Sequence, residues 1–334
     1  MALTLLPGVG AATHRRLVAT FGSAARALGT ADRDRRDAAL AEAARILAAG
    51  DAAAARATSP GDADYPTRLL ELDDPPPVLW SLGDAGTAAP PVVAIVGTRA
   101  ASAYGERVTR ELAGALARAG ACIASGMARG IDAAAHRAAL EAGGRTTAVL
   151  GTGVDIAYPA AHRALHAAIA RRGLLLSERA PGDRAGPGSF PSRNRIIAAL
   201  ADVVLVVEAG RKSGALITAS SALELGRTVA AVPGPIDDPR SEGSNELLRD
   251  GAVVVASAAD VLALVGLTPP PRGPAADVGP DERAVWDALA RGPADLDTLA
   301  ARSRLPARRC MAAVTALEIA GAVECAMTGE VRRR

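Results

Sequence analysis

From residue 92 onward the chain alternates between two textures. Short unbroken apolar runs rich in β-branched residues recur: VVAIVG (92–97), ACIAS (121–125), TTAVLG (146–151), GLLLS (173–177), DVVLVVEA (202–209), TVAAVPG (228–234) and AVVV (252–255). Between most of them lie Ala/Arg/Leu stretches with helical spacing of the apolar positions, as in YGERVTRELAGALARAG and GIDAAAHRAALEAGG. A strand apolar at every position has both faces covered, which is the condition of a parallel sheet between two helix layers. The alternation predicts an extended, Rossmann-like, doubly wound and mostly parallel α/β domain over residues 57–266.

The flanks read differently. Residues 1–56 are Ala/Arg-rich and predict a small helical domain of SAM or helix-hairpin-helix type, opening with LPGVGAATHRRLVATFGS. There Gly8 and Gly10 suit either a phosphate-facing turn or a plain corner between two helices. DADYPTRLLELDDPPPVLWSLGD, with Trp80, predicts an extended segment packed on the following domain. LTPPPRGPAADVGP (267–280) is a Pro/Gly linker. Residues 281–334 then predict three helices and a hairpin around Thr328-Gly329, a winged helix, with Pro306 at the start of its third helix.

Composition narrows the function classes. Lys and Arg total 38 against 36 Asp and Glu, so a polyanion site must come from local clustering of cations. Every one of those cations except Lys212 is an arginine. The three cysteines, Cys122, Cys310 and Cys325, have no metal spacing and fit a reduced cytoplasm. The opening apolar stretch is short for a signal peptide and no run approaches the roughly 18 residues of a membrane span. The expectation is a cytoplasmic protein without a membrane partner.

In a doubly wound sheet, ligands bind beyond the carboxyl ends of the strands. Those ends carry Gly97-Thr98-Arg99, Ser125-Gly126 through Gly130, Gly151-Thr152-Gly153, and Gly210-Arg211-Lys212-Ser213-Gly214. Small residues let backbone N–H groups approach an anion, and helix N-termini add a favourable field. The shared edge therefore predicts an anion platform, although single βα turns also favour Gly. FPSRNRIIAAL (190–200) adds Arg193 and Arg195 around Asn194, as phosphate forks or as partners of nearby acids. The chain has no GxxxxGK[ST] and no GxSxG, and Gly151-Thr152-Gly153 makes only a weak dinucleotide fingerprint. His14, His136, His162 and His166 show no metal geometry and are expected at surface or cap positions, while Asp155, Glu178, Glu208 and Glu224 read as structural carboxylates.

SGMARGIDAAAHRAAL, GTGVDIAYP, SERAPG, FPSRNRIIAAL, KSGALITASSALELGRTVAAVPGP and GSNELLRDGA, in this order, resemble the DNA-processing protein A (DprA/Smf) family over roughly residues 60–256. The resemblance implies a non-catalytic, cofactor-free protein that binds and protects single-stranded DNA and loads the RecA recombinase onto it in natural transformation. It also implies a homodimer through the Rossmann-like domain, with a single-strand-binding protein as a further candidate partner. Carried over by position, the DNA pocket comprises Gly97, Thr98, Arg99, Ser125, Gly126, Gly130, Phe190, Arg193, Asn194, Arg195, Lys212, Ser213 and Gly214, with Asp132 shaping the turn. His162 stands where the family usually has Asn.

Two other readings compete. A Rossmann-like phosphoribohydrolase would use a Gly-rich turn at the same edge, but needs a Glu soon after it, and Glu224 is far along the next helix. A regulator acting through the winged helix alone, with Arg302, Arg304, Arg308 and Arg309 on phosphates, leaves the anion platform unexplained. Aromatic residues make up only 2% of the chain, so binding is expected to be led by the nucleic-acid backbone, with Phe190 as a stacking face.

Overall fold

The computed structural model describes residues 1–186, 188–268, 278–326 and 329–333. The chain forms two compact units, Met1–Thr268 and Pro269–Arg334. In the first, helices α1 (Ala11–Phe21), α2 (Ala24–Gly29) and α3 (Arg33–Ala52) precede strands β1 (Arg56–Thr58), β2 (Leu79–Gly83) and β3 (Val92–Val96). Then come α4 (Ala103–Arg118), β4 (Cys122–Ser125), α5 (Ile131–Glu141), β5 (Arg145–Val149), α6 (Arg163–Arg172) and β6 (Leu174–Ser177). The unit closes with α7 (Ser189–Leu200), β7 (Val203–Val206), α8 (Gly214–Glu224), β8 (Thr228–Ala231), α9 (Glu242–Arg249), β9 (Val253–Val254) and α10 (Ala258–Leu264).

The sheet runs β1-β2-β6-β5-β4-β3-β7-β8-β9. From β6 to β9 all neighbours are parallel. The Trp80 segment is more than an extended strap: as β2 it joins the sheet antiparallel to β6, with Trp80 opposite Ser177, and β1 pairs with it in turn. The prolines before it hide a strand that has no helix crossover to announce it. The N-terminal helices pack on this end of the sheet, where Ile46 and Ala53 meet the apolar cluster around Trp80.

Strand β3 shows why its sequence has no polar position. Val92, Ala94 and Val96 enter the core beneath α7 and α8, and Val93 and Ile95 the core beneath α4 and α5. All five are buried, so each of the two helix layers is anchored by alternate residues of the same strand. The helices begin where the sequence supplies caps: Ser102 accepts from Gly105 N–H (2.9 Å) at α4, and Ser257 with Asp260 makes a capping box at α10.

The second unit is built from α11 (Pro280–Ala288), α12 (Leu296–Ser303), α13 (Ala307–Ile319) and an antiparallel pair, β10 (Val323–Cys325) and β11 (Val331–Arg333). Val285, Trp286, Leu299, Cys310, Val314 and Leu317 form its core. Three helices and a two-stranded wing are the winged helix that the periodicity predicts. Thr328 of the hairpin turn, and 269–277 of the linker, lie outside the described residues. Among the described residues no helix is long and apolar enough to cross a membrane.

Asp202 ties the central strand to the periphery. Its carboxylate accepts the Val92 N–H (2.8 Å) and faces the Arg68 guanidinium. Asp202→Ala leaves both donors without their partner and is expected to lower the unfolding free energy by ~1–3 kcal/mol in urea titration. An unchanged midpoint would contradict this role.

Candidate functional site

The chain leaves β3 toward β4, β5 and β6, then returns to β7 on the other side of β3 and continues outward to β8 and β9. Between β3 and β7 the successive connections therefore part in opposite directions, which leaves a crevice at the carboxyl ends. The crevice is a cleft of about 620 Å³ lined by Gly97, Thr98 and Arg99 from one turn and Lys212, Ser213 and Gly214 from the other, with Phe190, Arg193 and Asn194 entering from α7. The two turns are bonded to each other, since Thr98 N–H donates to the Glu208 carbonyl (2.7 Å). Asn194 adds a brace by donating to the Gly214 carbonyl (3.1 Å). Ser213 caps α8, accepting from Ala215 N–H (3.3 Å).

The floor is the turn after β4. Ser125 is buried, and its hydroxyl donates to the Ile95 carbonyl (2.6 Å), so it locks β4 to β3 and does not line the cleft. Asp132 accepts from the N–H groups of Gly126 (3.2 Å) and Ala128 (3.3 Å), folding the turn back onto α5. Arg193, also buried, donates to the carbonyls of Gly126 (2.7 Å) and Val149. A side chain at Gly126 would run into that guanidinium, and Gly130, at φ +73°, lies against the Thr98 carbonyl. Burial raises the Asp132 carboxyl above its ordinary range against the pull of Arg193, and lowers Arg193 to about 10, which still leaves it protonated at neutral pH.

A smaller recess of about 50 Å³ adjoins the cleft, lined by Arg99, Gly126, Arg129, Gly151, Tyr158 and Phe190 among others. Phe190 borders both spaces. Its ring centroid lies 5.1 Å from that of Tyr158, and the Arg99 guanidinium sits 5.5 Å from it on the other contact. Tyr158 is half exposed, so this edge presents an aromatic surface flanked by a cation. Sequence reading did not select Tyr158 for the site. It is, with Tyr104 and Phe190, one of the few aromatics that follow the strands, and only Phe190 among them is expected as the stacking face.

The cations divide into two groups. Arg211 pairs with Glu242 (3.3 Å) and Arg240 with Asp238 (2.8 Å). Arg99, Arg129 and Lys212 are exposed, and no carboxylate lies within ion-pair distance of them among the described residues. Arg195 departs from its expected place: it lines neither space and instead faces Glu178 (2.6 Å) and Asp74 (3.4 Å). Two residues apart on a helix, Arg193 and Arg195 cannot share a face, and α7 turns the first into the site and the second away.

Two of the histidines, His136 and His166, also depart from expectation, while His162 stands at the N-cap position of α6. His136, His162 and His166 are buried, not at the surface. His136 Nδ1 meets Thr146 Oγ1 (2.7 Å), His162 Nδ1 the Met127 carbonyl (3.0 Å) and His166 Nε2 the Val154 carbonyl (2.8 Å). His162 thereby holds the turn that carries Gly126. Glu208 is buried and accepts the Ser102 N–H (2.8 Å), and Glu224 ends α8, roughly 15 Å along the helix from Gly214.

The model of the DNA recombination-mediator protein A family matches residues 56–266, and that of the DprA winged helix domain residues 269–326. The chain belongs to the DNA recombination-mediator protein A (DprA/Smf) family. A Mycobacterium tuberculosis protein carrying the provisional name DNA processing protein DprA is 47% identical over 260 residues, 75% of this chain and 67% of that protein. The crystal structure of DprA from Streptococcus pneumoniae superposes with a TM-score of 0.70 at 36% identity, over 78% of this chain and 95% of that one. DprA from Helicobacter pylori, whose structure was described for its single-stranded DNA-binding mode, gives 0.57 at 33% identity, over 62% of this chain and 94% of that one.

Gly126→Ala is expected to displace the buried Arg193 and to destabilise the protein by roughly 1–3 kcal/mol in chemical denaturation. A Gly126→Ala protein with wild-type stability and an unshifted Arg193 would refute the packing argument. A pH dependence follows from His136. Burial lowers its pKa from 6.5 to about 3, so the unfolded chain takes up its proton first. Its stabilising share is full above about pH 6.5 and is lost as pH falls toward 3. In His136→Asn the acid limb of stability against pH is expected to be shallower than in wild type.

Proposed function

We propose that this chain binds single-stranded DNA in the cleft between β3 and β7, with phosphates at Arg99 and Lys212 and unpaired bases against Phe190 and Tyr158. The observation that carries the reading is the pair of exposed cations without carboxylate partners, brought to one crevice from turns more than a hundred residues apart, beside the aromatic pair. Single strands suit such a site because their bases are free to stack while the backbone meets the cations. The H. pylori relative, described for single-stranded DNA binding, supports the same assignment.

From the family we further propose that the chain is a cytoplasmic, non-catalytic homodimer, paired through its Rossmann-like domain. In this reading it protects incoming single strands and loads a RecA recombinase onto them in natural transformation and homologous recombination. The site itself supplies charge and stacking surface, which is what a holding and handing-over role requires. A phosphoribohydrolase would need a carboxylate at the cleft, and the ones nearby are committed elsewhere: Asp132 to backbone N–H groups and Glu208 to the start of α4.

Fluorescence anisotropy with single- and double-stranded oligonucleotides tests the reading. Arg99→Ala and Lys212→Ala are each expected to weaken single-strand binding roughly tenfold or more, as loss of a charged hydrogen-bond partner does. Lys212→Arg, which keeps the charge but changes its shape, is expected to weaken it less. The logarithm of affinity should fall with the logarithm of salt by about 0.7 per phosphate held, and by less in each Ala variant. Unchanged affinity in both Ala variants would place the binding site elsewhere.

A further inference from the structure

Helix α13 occupies the position of the helix that reads DNA in a winged helix, but its solvent face is not a DNA-reading face. Cys310, Ala313, Val314 and Leu317 are buried in the unit's core. On the opposite side stand Arg308, Met311, Ala312, Thr315, Ala316 and Ile319, all exposed, with Met311 at 53% and Ile319 at 84%. Major-groove readout uses Arg, Lys, Asn, Gln and carboxylates placed at base edges. Apart from Arg308 at one end and a single threonine, this face offers methyl and thioether groups.

The charges of α13 are also placed against its own dipole. Arg308 and Arg309 sit in the first turn, where the helix is already positive, and Glu318 sits in the last, where it is negative. Arg309 is neutralised by two hydrogen bonds to Asp281 (2.6 and 2.7 Å). Arg308 has no ion-pair partner among the described residues. Glu318 accepts from Cys325 N–H (3.3 Å), which leaves its second oxygen for another donor.

A cation at the start, an apolar stripe in the middle and a carboxylate at the end form a self-complementary pattern. Turned antiparallel, a second α13 brings its Glu318 and negative end to Arg308, while positions 308, 312, 315 and 319 interleave with 319, 315, 312 and 308. Small Ala312 and Ala316 let the axes approach, and Met311 fills the flank. We infer that α13 is a two-fold interface through which the winged helix pairs with the winged helix of a second copy of this chain. The pairing is isologous, so each favourable contact occurs twice.

The test uses the full chain with the exposed Cys325 replaced by Ser, Cys122 and Cys310 being buried. Thr315→Cys, close to the crossing point, is expected to give a disulfide-linked dimer on mild oxidation, and Ala301→Cys, exposed on α12, is not. In the Thr315→Cys protein, Arg308→Glu should lower the cross-linking rate roughly fivefold. Adding Glu318→Arg to it should restore the rate, because the swapped charges again complement each other. A dimer held only by the first unit would cross-link both positions equally or neither and ignore the charge swap, which would overturn the inference. So would cross-linking abolished by duplex DNA, with duplex binding weakened by Arg308→Glu and not restored by Glu318→Arg, since the face would then belong to DNA.

Discussion

The guanidinium of Arg193 is the joint on which the site depends. It enters from α7 and donates to carbonyls of two different strand ends, Gly126 after β4 and Val149 on β5. Taking a guanidinium out of water is costly unless its donors are satisfied and a counter-charge is near. Here Asp132 supplies the charge, and it is itself held by the N–H groups of the same turn that Arg193 grips by its carbonyl. One turn is therefore clamped from both of its polar sides. The clamp fixes where Phe190 sits, because Phe190 lies three residues before Arg193 on the same helix, and Phe190 in turn meets Arg99 and Tyr158.

That arrangement explains how a chain with nearly balanced charge presents a cationic site. The sheet topology places the turns after β3 and β7 side by side, and most acids nearby are consumed by structural duties. Asp132 faces Arg193, Glu208 caps α4, Asp238 holds Arg240 and Glu242 holds Arg211. What remains exposed at the cleft is the positive remainder. Local bookkeeping of this kind is invisible to net charge, which is why composition argued neither for nor against a polyanion partner.

The parallel part of the fold was legible because its strands are buried on both faces and its helices are amphipathic, two signals that need no long-range information. Strands β1 and β2 were not, since they pair antiparallel at one end of the sheet without a helix crossover, β1 is only three residues long, and the prolines before Trp80 suggest a loop. The Gly-rich turns and the cations of the cleft were visible in the sequence as residues at strand ends. Which of the two FPSRNR arginines faces the site was not, because that depends on the rotation of α7 about its axis. The part of Tyr158 was not legible for a related reason: its contact with Phe190 joins segments thirty-two residues apart, and neither one's local pattern records it. The buried histidines show the opposite failure, where a polar residue type suggests the surface but one hydrogen-bond partner, the Thr146 hydroxyl for His136 and a backbone carbonyl for His162 and His166, suffices to hold each one inside.

The helix starts at the cleft are not equivalent, and their differences indicate where an anion belongs. Helix α4, after β3, has its first turn occupied by the Glu208 carboxylate as well as by Ser102. Helix α5, after β4, carries Asp132 in its first turn, so a phosphate there would meet a carboxylate. Helix α8, after β7, starts with Ser213 and Gly214 and has no acid in its first turn. Unlike those of α4 and α5, its N-terminal field is not cancelled, and the residue immediately before its cap is Lys212. An ammonium is a compact charge with three rotatable donors, whereas a guanidinium is a broad plane that needs a fork-shaped partner. At the mouth of a helix whose first amide groups have no acid beside them, a compact charge leaves the backbone accessible, which is the physical case for a lysine at this one position in a chain that otherwise uses arginine.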